Sequence, residues 1–95
     1  MKIPKKVRIG GLEYTVDYVN RLQSGSNYAA EIDYTETTIE ISNGMGKQRA
    51  ERSFLHEIVH AILDNAGYKD HDETVVDALA GGFYALIKDN PEIFK

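Results

Sequence analysis

At 95 residues, with 42% hydrophobic and 27% charged side chains, the chain has the make-up of one globular domain, residues 1–95, and not of a disordered, fibrous or membrane protein. It contains no cysteine, so disulfides, thiolate catalysis and thiolate metal ligation are excluded together, and any metal site has to be built from His, Asp or Glu. A net charge of -4 argues against a nucleic-acid partner, which requires a concentrated basic stripe.

Lys2, Lys5, Lys6 and Arg8 read as a solvated strand edge. Together with Pro4 they leave no apolar stretch for a secretory signal, and no run approaches the roughly 18 apolar residues that span a bilayer. A cytoplasmic location without a membrane partner is expected. At this size folding buries only about 60 to 65% of the extended chain's surface, so a bound ion would add usefully to stability.

Val7-Arg8-Ile9 and Leu12 to Val19 alternate apolar and polar residues around Gly10-Gly11, the signature of a two-residue hairpin turn. The stretch 20–27, with Gln23-Ser24-Gly25-Ser26, reads as a loop. Alternation returns in Ala30 to Tyr34 and Thr38 to Ser42, separated by the polar Thr35-Glu36-Thr37, and predicts a second hairpin. Asn43-Gly44-Met45-Gly46 then breaks the pattern, and the hydrophobic period changes from strand to helix.

From about Lys47 to Ala66 the spacing predicts one long helix, closed by Gly67. With His56 at zero, Phe54, Leu55, Ile58, Val59, Ile62 and Leu63 fall between about 160° and 340°, which makes them the core face. A second helix, about Asp72 to Asp89, presents Val75, Val76, Leu79, Phe83, Leu86 and Ile87 on its apolar side and stops at Asn90-Pro91. Strands followed by helices give an α+β fold, a small antiparallel or mixed sheet of three to four strands packed on the two helices.

The chemistry is concentrated in His56-Glu57-Ile58-Val59-His60. Histidines at i and i+4 differ by about 40° in azimuth and about 6 Å in height, so both imidazoles can reach one ion. Glu57 projects about 100° away from His56, which suits a base acting on a metal-activated water better than a ligand. Zinc (Zn2+) needs a third protein ligand, and without cysteine the choices lie downstream. The metzincin continuation is excluded, because Leu63 and Ala66 stand where it requires glycine and histidine. On the second helix Glu73 and Asp77 share a face, beside the small Ala80 and Gly81 that let two helices approach.

His56-Glu57-Ile58-Val59-His60 followed by Glu73-Thr74-Val75-Val76-Asp77-Ala78-Leu79-Ala80 resembles the gluzincin arrangement of zincin metallopeptidases. In its brevity it is similar to the phage and bacterial ImmA/IrrE-type minimal metallopeptidases. The resemblance covers about the latter half of the chain; the strands resemble the family only in layout, and no helix precedes the sheet. It implies a zinc-dependent hydrolase acting on a peptide or protein substrate, with His56, His60 and Glu73 as metal ligands, Glu57 as the general base, and Asp77 orienting His56. It also suggests Thr38 to Ser42 as the edge strand along which a substrate pairs.

Two other arrangements fit the same residues. Asp70-His71-Asp72-Glu73 is also a capping box, in which Glu73 secures the helix start, and His71 is then the rival third ligand. Tyr28 and Tyr68 are possible oxyanion donors, while Tyr84 lies about 16 Å along the helix from Glu73 and reads as a packing residue. The alternatives to an enzyme are a catalytically silent zincin-like binding module of a phage or mobile element, and a structural α+β domain without metal.

Overall fold

A computed structural model describes residues 1–20 and 29–94. The chain runs β1 (Lys6–Ile9), β2 (Leu12–Val19), β3 (Ala30–Asp33), β4 (Thr38–Ser42), α1 (Lys47–Asn65) and α2 (Glu73–Asp89), and ends in a 3₁₀ turn, Pro91–Phe94. The fold is α+β. The loop expected at 20–27 lies, apart from Asn20, outside the described residues.

Both predicted hairpins form, each for a local reason. Gly10 and Gly11 have φ of 59° and 86°, the positive pair that a tight two-residue turn demands, and Ile9 pairs with Leu12 across it. The second turn is held by the Asp33 carboxylate, which accepts the backbone N–H groups of Thr35 and Glu36, each at 2.9 Å.

The strand order β1-β2-β4-β3 makes the sheet mixed, because β2 and β4 pair in parallel, Thr15 against Thr38 through Val19 against Ser42. This corrects one expectation. Thr38–Ser42 is an interior strand, flanked by β2 and β3, and β3 is the outer strand on that side. Residues 20–29 connect β2 to a strand one position beyond β4, and β4 then folds back into the gap.

One face of the sheet supplies Ile9, Tyr14, Val16, Ala30, Ile39 and Ile41, which pack with Ala50, Phe54 and Ala61 of α1. Ile39 and Ile41 are fully buried, as their central strand requires. The other side of α1 carries Val59, which packs with Val76 and Ala80 of α2, bordered by Leu55 and Leu63. Helix α1 is thus the middle layer, and any site on its remaining stripe lies between the sheet edge and α2. The apolar side of α2 is only partly used: Val76 is buried, whereas Val75, Leu79, Phe83 and Leu86 are each more than 40% exposed. No helix among the described residues is long and apolar enough to cross a membrane.

Candidate metal centre

Helix α1 carries the histidines and α2 brings a carboxylate to them. His56 Nε2 lies 3.1 Å from Glu73 Oε1, and His60 Nε2 lies 3.0 Å from Glu73 Oε2. One ligand atom from each of the three residues falls within 4.8 Å of the others.

The local fold explains why Glu73 is free to do this. The N-cap of α2 is Asp72, whose carboxylate accepts the N–H groups of Thr74 and Val75 at 2.9 and 3.3 Å. Glu73 is the first helical residue, and its side chain, 68% exposed, takes no part in that cap. The capping box read from Asp70 and Glu73 does not form; the cap falls on Asp72 and Glu73 turns toward the histidines.

The far nitrogens of both imidazoles are also engaged. Asp77 Oδ1 lies 3.5 Å from His56 Nδ1, and the same carboxylate lies 3.7 Å from Arg52 Nη2. His71 Nδ1 lies 2.7 Å from His60 Nδ1, on the side of the ring away from Glu73.

His71 is placed by the way α1 ends. Gly67, with φ of 98°, closes the helix with the bonds Gly67 N–H to Asp64 C=O and Tyr68 N–H to Leu63 C=O, a Schellman motif. The Tyr68 carbonyl then accepts from His71 Nε2 at 2.6 Å. Since a carbonyl can only accept, a neutral His71 carries its proton on Nε2 and offers a bare Nδ1. His60 answers with Nδ1–H, which leaves its own Nε2 lone pair free.

Asp77 favours the same tautomer of His56. With these tautomers the common point of His56 Nε2, His60 Nε2 and the Glu73 carboxylate is lined by lone pairs, an arrangement that could hold a cation. Two nitrogens and one carboxylate oxygen without thiolate suit zinc.

Electrostatics follow burial. Desolvation lowers the His60 pKa, against the opposing pull of Glu73, and so favours the neutral imidazole. Glu57 is 7% exposed, and burial pushes its carboxyl up to about 7, opposed by His56 and reinforced by Glu73 and Glu31. It lines a cleft of about 470 Å³ with His56, Ser53, Arg49, Arg52, Asp77, Ala29 and Ala30.

The shift of Glu57 has a measurable consequence in metal-free protein. A carboxyl raised in the folded state binds more protons there than in the unfolded chain between pH 4.5 and about 7, so its contribution to stability is lost as pH rises through that window. His60 acts oppositely, because its lowered pKa costs stability as pH falls below 6.5. Glu57→Gln removes only the first effect. Denaturant titrations at pH 5 and pH 8 should show the variant gaining on wild type by on the order of 3 kcal/mol at the higher pH. A difference independent of pH would mean that the Glu57 carboxyl is not held in its protonated form.

Tyr68 is exposed and contributes its carbonyl instead of its hydroxyl; Tyr28 lies outside the described residues. Tyr84 ties the helices together, its hydroxyl donating to the buried Glu51 carboxylate at 2.9 Å. At Tyr34, just past β3, burial, then the charges of Asp64, Glu57, Tyr14 and Glu73, push the phenol up to about 12, so its hydroxyl stays a donor. Neither Tyr34 nor Arg49 stood out in the sequence: Tyr34 reaches the charges of Glu57 and Glu73 only through the fold, whereas Arg49 shares the His56 stripe of α1 by helical spacing alone. Comparison with protein-family models, curated proteins and solved structures finds no match to this chain.

Proposed function

We propose that this chain is a zinc-dependent peptidase, with His56, His60 and Glu73 as the metal ligands and Glu57 as the general base. The observation that carries the reading is the meeting of both Nε2 atoms with the Glu73 carboxylate at 3.0 and 3.1 Å, while each Nδ1 is engaged from behind. A bound zinc ion supplies Lewis-acid polarisation of the scissile carbonyl and brings the pKa of a coordinated water toward neutrality.

The protein's own residues do the rest. Asp77 and His71 hold the two imidazoles with Nε2 outward, fixing tautomer and ring plane. Glu57, its carboxyl near 7 through burial, is matched to take a proton from water at neutral pH and pass it to the departing amine. The outer edge of β3, beside the cleft, offers backbone groups for an extended peptide. A cytoplasmic protein or peptide substrate belongs to the same proposal.

Protein purified without chelator should contain about one zinc per chain and cleave members of a quenched-fluorescence peptide library. Chelation should abolish cleavage and lower the melting temperature, because the metal binds only the folded form, and added zinc should restore both. No metal together with an unchanged melting curve in chelator would overturn the proposal. Metal without turnover of any peptide would favour a silent binding module.

A further inference from the structure

The cleft next to His56 has a basic end that neither metal binding nor folding explains. Arg49, Ser53, His56 and His60 fall on one stripe of α1, within about 60° of one another. Of the two arginines lining the cleft, Arg52 is occupied: it lies near Asp77, and its guanidinium covers Gly81. Arg49 forms no ion pair among the described residues.

Its position is also costly. Arg49 and Lys47 occupy the first turn of α1, which contains no acidic residue and has no side-chain cap. Cations there oppose the helix dipole, each by about 0.3 to 1 kcal/mol at exposed positions. A local rule broken without a structural return is a mark of function. Arg49 lines the cleft together with Ala29 and Ala30, two small side chains at the start of the outer strand β3. The other end of β3 is acidic, with Asp33 and, in the following turn, Glu36.

We infer that Arg49 binds a carboxylate of the substrate peptide, about three residues from the bond that is cleaved. The spacing follows from the helix: seven residues separate Arg49 from His56, about 10 Å along the axis, which an extended peptide spans in about three residues. Antiparallel pairing, the more stable mode, sends the peptide's C-terminal direction toward Ala30 and Arg49. The carboxylate therefore lies on the leaving-group side. It is either an acidic side chain or the peptide's own C-terminus.

This inference rests on the peptide-binding half of the proposed function, and it is tested by binding so that the two can fail separately. Fluorescein-labelled ten-residue neutral peptides carry one glutamate, stepped through successive positions, or only a free C-terminal carboxylate. Their partners carry glutamine or a terminal amide. They are titrated by anisotropy against Glu57→Gln protein, which should not turn them over.

One acidic register, or the free terminus, should bind about tenfold more tightly than its neutral partner. Arg49→Gln should level that ratio, while Arg8→Gln, which removes the same charge from β1, should keep it. An internal glutamate and a free terminus distinguish the two carboxylate sources, and either supports the inference. Equal binding of acidic and neutral peptides, no binding of any, or a preference that survives Arg49→Gln would overturn it. An Arg49-dependent preference without turnover in the parent protein removes the peptidase reading alone; turnover without charge preference removes this inference alone.

Discussion

Glu73→Ala is expected to weaken zinc binding by more than about a hundredfold, since even the loss of a residue that merely supports a ligand costs about 10- to 100-fold. The fold should survive. Asp72 caps α2 through Thr74 and Val75 without help from Glu73, and the Glu73 side chain is largely exposed. Were Glu73 the cap, its removal would cost about 0.5 to 2 kcal/mol of stability and leave zinc in place. Competition with a chromophoric chelator, run beside thermal melts in excess chelator, separates the two outcomes.

His71→Ala is the matched variant. His71 meets His60 at Nδ1, opposite the Glu73 side, so its loss should weaken zinc binding by only about 10- to 100-fold, the effect of releasing a ring that was held in one tautomer. A larger loss in His71→Ala than in Glu73→Ala would reverse their roles.

The parts of this architecture that are encoded locally could be read from the sequence. Gly10-Gly11 specifies a turn through positive φ, Gly67 ends α1, and the change of hydrophobic period at Asn43-Gly44-Met45-Gly46 marks the passage from sheet to helix. The i, i+4 relation of His56 and His60 likewise needs nothing beyond the helix.

What depends on pairing across the chain was not legible. Alternation in Thr38–Ser42 is the same whether that strand is interior or at an edge; only its parallel pairing with β2 puts β3 outside. The helix start at Glu73 was ambiguous because Asp70 and Asp72 are both competent caps, and the choice of Asp72 is what turns Glu73 toward α1. His71 was visible as a histidine near the site but not as a support for His60, since that contact is set by the Tyr68 carbonyl at the end of a Schellman motif. The apolar stripe of α2 was legible, but not how much of it would be covered. Val76 and Ala80 pack against Val59 of α1, whereas Val75, Leu79, Phe83 and Leu86 stay more than 40% exposed.

Glu57→Gln should lower peptide turnover by about 10²- to 10⁴-fold, the range for loss of a positioned general base, while zinc content remains near one per chain. The substitution keeps the volume of a buried side chain and removes its ability to accept a proton. Glu57 is set about 100° around α1 from His56 and lines the cleft, whereas the ligand atoms converge on Glu73 at the α2 side. Removing its charge should therefore leave the ligands undisturbed, and metal-free Glu57→Gln should be more stable than wild type at pH 8, where the parent must ionise a buried carboxyl. Single-turnover rates separate the chemical step from peptide binding, and the loss should fall on the rate with the peptide's affinity little changed. Zinc lost from the variant would identify Glu57 as a ligand. An undiminished single-turnover rate with zinc retained would mean that some other group takes the proton, and the buried carboxyl beside His56 would then need a purely structural account.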